Sequence, residues 1–155
     1  MKKTKIFLTL LLMLGISLIL FSCGKENGGK TIVFDTISKG IYSQQVEKEY
    51  FAIKDAESFN QLLAKISNND AEITNKDVDF SKEMVIGVFL GEKPTGGYSV
   101  EITDVLKQKD YIEFLIKINE PDPDEIVTEA ITSPYHIIRL KRSDMEFLFN
   151  IIEQE

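Results

Sequence analysis

The chain has 155 residues, 43% of them hydrophobic, and is acidic: 25 Asp and Glu stand against 18 Lys and Arg, a formal charge of −7. Such a surface repels phosphate backbones, which argues against nucleic-acid binding. A single cysteine and a single histidine exclude an internal disulfide, a thiolate metal cluster and a His-rich metal site.

Lys2, Lys3 and Lys5 precede an uncharged apolar run over residues 6–21, the pattern of an export signal. The run falls short of the roughly 20 residues a spanning helix needs, and it stops at Leu20-Phe21-Ser22-Cys23. These four residues resemble a bacterial lipobox, with Phe21 where a small residue is usual. The resemblance implies a signal peptide over 1–22, acylation of Cys23 and anchoring of the remainder to a membrane. Residues 23–30, polar and glycine-rich, then read as a flexible tether. Lys25 and Glu26 after the cysteine point to the outer membrane or cell surface rather than the inner membrane. Removal of 1–22 leaves 25 acidic against 15 basic residues, a charge of −10, in a length that fits one domain over 31–155.

Within that domain, residues 31–37 are rich in β-branched and aromatic side chains and predict a first strand; 46–53 predict a second. Asp55 is a good N-cap, and Phe59, Leu62, Leu63 and Ile66 recur at helical spacing, so a helix follows, closed by 67–70. Residues 84–90 are apolar on both faces, as a doubly covered central strand requires. Tyr98, Val100 and Ile102 alternate with polar neighbours, and so do Ile112, Phe114, Ile116 and Ile118, giving two half-buried strands. A rigid acidic loop over 121–124 leads to a strand over 134–141. The last apolar segment, 147–152, fits helix or strand, and its aromatic and β-branched content favours strand. Together these predict an α+β, mainly β domain, a small antiparallel sandwich or open barrel with one early helix.

Between the central strand and its neighbour lies Gly91-Glu92-Lys93-Pro94-Thr95-Gly96-Gly97-Tyr98. Pro94 fixes its own φ and extends Lys93, while Gly96 and Gly97 permit positive φ. The loop is either a well-formed connection or a recognition loop presenting backbone amides, Thr95 and Tyr98.

Residues 85–91, leading into Pro94-Thr95-Gly96-Gly97-Tyr98-Ser99-Val100 and followed by Thr132-Ser133-Pro134-Tyr135-His136, resemble the C-terminal domain of the PrcB family over about 79–141. That family is named for a lipoprotein subunit of a spirochaete surface protease complex. The resemblance implies a non-catalytic accessory protein without a cofactor, which binds or stabilises a secreted or surface protease. Its protein-binding positions would be Pro94, Thr95, Gly96, Gly97 and Tyr98, with Pro134, Tyr135 and His136 beside them. On this reading, Val at Gly96 and Gly97 should abolish partner capture and leave melting largely intact. The loop is also distantly similar to the Asn-Pro-Thr-Thr-Gly-Tyr loop of chagasin-type cysteine-protease inhibitors, with Lys93 replacing the asparagine and Gly96 the second threonine.

Other residues invite weaker readings. His136 shares a strand face with Ile138 and Leu140, which suits a histidine satisfied at the edge of the core. A Ser99 or Ser133 pair with His136 would make a small hydrolase, yet no nucleophile-elbow pattern surrounds either serine. Asp122, Asp124 and Glu125 lack the spacing of a calcium loop, and Asp77 and Asp79 suit a solvated turn. A purely structural envelope lipoprotein is the remaining alternative.

Overall fold

A computed structural model describes residues 29–66 and 77–152. The expected signal peptide, Cys23, most of the tether and the residues 67–70 expected to close the helix lie outside the described residues. Among the described residues no helix is long and apolar enough to cross a membrane.

Among the described residues, eight strands and one helix follow in the order β1 (Lys30–Thr31), β2 (Phe34–Gly40), β3 (Glu49–Ile53), α1 (Ala56–Leu63), β4 (Glu83–Phe89), β5 (Ser99–Lys107), β6 (Tyr111–Asn119), β7 (Tyr135–Lys141) and β8 (Glu146–Ile152). One sheet has the order β1-β5-β6-β8 and the other β2-β7-β4-β3. All neighbours are antiparallel except β6 and β8, which run parallel. The α+β, mainly β expectation holds, as two packed sheets with one short helix and not a closed barrel.

β4 sits at the centre because it is apolar on both faces. Met84, Ile86 and Val88 pack toward the other sheet with Val100, Ile102, Phe114, Ile116, Ile138 and Leu140. Val85 and Phe89 pack on the opposite face with Phe59 and Leu62 of α1. α1 begins where Asp55, in extended conformation, accepts a 2.8 Å hydrogen bond from the Ser58 N–H, which satisfies one of the helix's free donors. It ends at Leu63, earlier than the apolar spacing suggests. Ile66 is still buried, at 2% exposure, although it lies past the helix.

Three other boundaries depart from the sequence reading. The single strand expected over 31–37 is two: β1 joins β5, and beyond Ile32 and Val33 the chain crosses to pair as β2 with β7. The strand expected over 46–53 starts only at Glu49. In β5 a bulge between Ile102 and Asp104 resets the alternation, so Val105 rather than residue 104 turns inward. The strand expected over 147–152 is β8, with Phe149 stacked at 4.6 Å on Tyr50 of β3.

The topology gives the sandwich two unlike ends. The described chain starts at one end, where Lys30 lies opposite Lys107. The loops 90–98 and 120–134 lie at the other end, where β4 and β6 finish and β5 and β7 begin.

Candidate functional site

Residues 90–98 are fixed mainly by backbone contacts. The Leu90 N–H donates to the Pro134 carbonyl at 2.9 Å, Glu92 N–H to Val46 O at 2.9 Å, and Lys93 and Thr132 exchange bonds of 2.7 and 3.0 Å. Gly91 has φ of +76°, and a Cβ there would lie 2.6 Å from the Val46 carbonyl oxygen, so only glycine fits. Beyond the exposed Pro94, the Thr132 hydroxyl donates to Thr95 O at 2.8 Å. The Gly96 N–H donates to Thr128 O at 2.9 Å.

Gly96 and Gly97 are therefore structural positions. A Cβ on Gly96 would overlap the Thr128 hydroxyl, and Gly97, at φ +86°, would place one 2.8 Å from Pro121. Valine at both would force apart the loops 94–98 and 121–128. The expectation that such a double change leaves melting largely intact is overturned by this close approach. What the loop leaves accessible is Glu92, Pro94 and Gly97, with Lys93, Thr95 and Tyr98 half-exposed. The Tyr98 ring lies 5.4 Å beneath the Lys93 ammonium.

The second group of sequence-chosen residues is inside the protein. Pro134 is buried, and Tyr135 and His136 are 1% and 2% exposed. Tyr135 stacks on Phe89 and its hydroxyl meets Ser38 at 3.1 Å. In the folded protein these side chains are packed inside, next to the start of the loop, whose Leu90 N–H bonds the Pro134 carbonyl.

His136 joins the two sheets. The Ile102 backbone N–H, at the β5 bulge, donates to its Nδ1 at 2.9 Å. Nδ1 is thus the acceptor, so Nε2 carries the proton and donates to the Thr36 hydroxyl at 2.9 Å. Burial, and secondarily the Lys39 ammonium, push its pKa down to about 4, while Glu101 opposes this. The ring is neutral at physiological pH.

Neither serine forms a catalytic pair with it. Ser133 Oγ donates to Gln45 O at 2.6 Å and, with that proton committed, accepts from Ser43 Oγ at 2.6 Å. Ser99 Oγ accepts from Asn119 at 2.7 Å. The acidic loop closes on itself, the Glu125 N–H bonding Asp122 O at 2.9 Å and the Asp122 N–H bonding the Glu125 carboxylate at 3.2 Å. Asp79 organises the turn before β4; hydrogen bonds from Lys82 and Ser81 lower its pKa to about 2. The Asp77 carbonyl accepts from Arg139 at 3.2 Å. Among the described residues no group of three or more His, Cys, Asp or Glu could hold a metal ion.

Sequence reasoning missed the apolar rim around this end. Val46 is 58% exposed, Ile131 66% and Ile126 100%, with Ile41 and Tyr42 also open. Backbone bonds tie the rim to the loop: Val46 O takes the Glu92 N–H, and Ser133 N–H donates to Ile41 O at 2.8 Å. The available signal was large apolar residues outside the predicted elements, Ile41, Tyr42, Ile126 and Ile131, while Val46 was hidden in the strand expected over 46–53.

No curated protein and no solved structure matches this chain. Residues 84–141, which run from β4 through the loop and β5, β6 and the acidic loop to the end of β7, match the family model described as PrcB C-terminal.

Proposed function

We propose that this chain is a membrane-anchored, non-catalytic accessory lipoprotein that binds a secreted or surface protease through the end of the sandwich carrying residues 91–98. The observation that carries this reading is the coincidence at one end of a backbone-fixed loop, inside the family-matched segment, with an exposed apolar rim. A fixed loop loses little conformational entropy on association. Exposed apolar side chains grouped together mark interaction surfaces. Pro94, Thr95 and Tyr98 supply the polar and aromatic contacts, while Val46 and Ile131 supply the area removed from water. Gly96, Gly97, Pro134, Tyr135 and His136 keep that surface in shape.

The anchor is Cys23, placed by the lipobox-like residues that precede it. Two or more acyl chains, each buried methylene contributing about 0.8 kcal/mol, hold a protein stably at a bilayer.

Cross-linking the lipidated protein in intact envelopes, followed by purification and mass spectrometry, tests the reading. Wild type should bring down a protease, and Val46→Asp with Ile131→Asp should lose it while melting at the same temperature. Equal recovery by both proteins would overturn the assignment of this end, and recovery of no protease by wild type would overturn the accessory role.

A further inference from the structure

The opposite end, where the described chain begins, carries a different surface. Lys30, Lys107, Lys141 and Arg142 line a cavity of about 260 Å³ whose apolar lining includes Ile32 and Ile112, and no Asp or Glu lines it; the Arg142 guanidinium already donates to the Lys54 and Phe80 carbonyls. Lys30 and Lys107 are direct cross-strand neighbours, an arrangement of like charges that destabilises a sheet. Among the described residues none of the three ammonium groups lies within 4.0 Å of a carboxylate.

Four of the acids at this end are already engaged. Asp144 pairs with Lys54 at 2.8 Å, Asp79 with Lys82 at 2.7 Å and Asp35 with Arg139 at 3.2 Å. Glu83 faces Lys141 across the ladder, but its carboxylate accepts from the Asp79 N–H and lies 3.8 Å from Arg139. Asp110 and Glu146, at neighbouring strand ends, stand outside the cavity. Three ammonium groups without a carboxylate partner, with Arg142 beside them, around an apolar concavity suit an anion joined to an apolar body.

The course of the chain selects the source of that anion. Gly29 lies six residues after Cys23, and six residues extend at most about 20 Å. If Cys23 carries the lipid, as the proposed function has it, this end is held close to the bilayer. There the field of an anionic leaflet acts on lysines within a Debye length of about 8 Å. We propose that Lys30, Lys107 and Lys141 form a docking surface for the anionic headgroups of the anchoring membrane, so that the domain stands with residues 91–98 outward.

The test uses the full lipidated chain in phosphatidylcholine vesicles with and without phosphatidylglycerol, and follows acetylation of each lysine by mass spectrometry. Phosphatidylglycerol should slow labelling of Lys30, Lys107 and Lys141 by about fivefold, the factor expected for one lysine at an anionic surface. Lys48 and Lys93, at the far end, should label unchanged, and high salt should remove the difference. Lys141→Glu, with an unaltered circular dichroism spectrum, should restore labelling of Lys30 and Lys107. Equal rates in the two vesicle types, with the chain retained through carbonate washing, would overturn the docking alone. Release of the chain by that washing would overturn the anchor and the docking with it. Equal slowing by inorganic phosphate added to phosphatidylcholine vesicles would assign the cavity to a free anion and overturn the lipid.

Discussion

At the end carrying residues 91–98, backbone is bonded to backbone: Lys93 to Thr132, Glu92 to Val46, Gly96 to Thr128. The end that holds Lys30 has backbone bonds of its own, Arg142 N–H to Lys82 O and Gln108 N–H to Tyr111 O, but adds exposed side-chain charge pairs, such as Lys54 with Asp144 and Lys82 with Asp79. Backbone hydrogen bonds neither titrate nor depend strongly on salt, whereas exposed ion pairs are screened and contribute little. One end therefore keeps a fixed shape under changing conditions. The other keeps a charge pattern whose strength the surroundings set.

The most damaging test of this contrast is Gly91→Val. A positive φ costs a β-branched residue about 1–2 kcal/mol, and forced overlap in a packed region adds about 1–3. The loss should be about 3 kcal/mol or more in urea unfolding, and an unchanged midpoint would break the claim that close approach fixes this end.

A comparable effect comes from pH, through the histidine between the two sheets. Its folded pKa of about 4 lies below the ordinary histidine value of 6.5, so below pH 6.5 the unfolded chain binds a proton that the folded chain refuses. The associated stability is complete above pH 6.5 and is lost as pH falls toward 4, by about 3 kcal/mol in total. Unfolding measured across that window should show the slope, and His136→Leu should remove it. A slope that survives the substitution would assign it to other groups.

Ser133→Ala should cost less, about 1–2 kcal/mol, because the Gln45 carbonyl and the Ser43 hydroxyl lose their buried partner. The loss should persist in high salt, since no charge is involved. The smallest effect is expected at the opposite end, where Lys54→Ala removes an exposed pair with Asp144. Its melting temperature should match wild type at moderate salt. A large shift there would mean that the charged end is as firmly built as the other.

Much of the architecture was legible because it is local. Residues 84–90 carry apolar side chains on both faces and become the central strand; Asp55 caps the helix it precedes. The aromatic and β-branched content of residues 147–152 gave β8 as a strand, but nothing in those residues says that it runs parallel to β6. The loop was visible through Pro94, Gly96 and Gly97, whereas the reason for its glycines was not. Thr128 and Pro121, which the missing side chains would strike, lie more than twenty residues along the chain. His136 likewise needs Ile102 and Thr36, 34 and 100 residues away. The bulge that turns the Ile102 N–H toward it leaves no mark except one broken alternation. Such contacts follow from how the sheets stack, and no short window of sequence contains them.

The crossing of the chain from β1 to β2 has a mechanical consequence. A pull on the segment before Gly29 would act along β1 and then along β2, both of which run away from that end of the sandwich. Ladder hydrogen bonds lie across the strands, so such a load shears them together instead of opening them singly. From Phe34 opposite Leu140 to Gly40 opposite Tyr135, the whole β2–β7 ladder would share the force. A domain held by a leash at its foot and gripped by a partner at its crown is thereby loaded in the direction in which a sheet resists best.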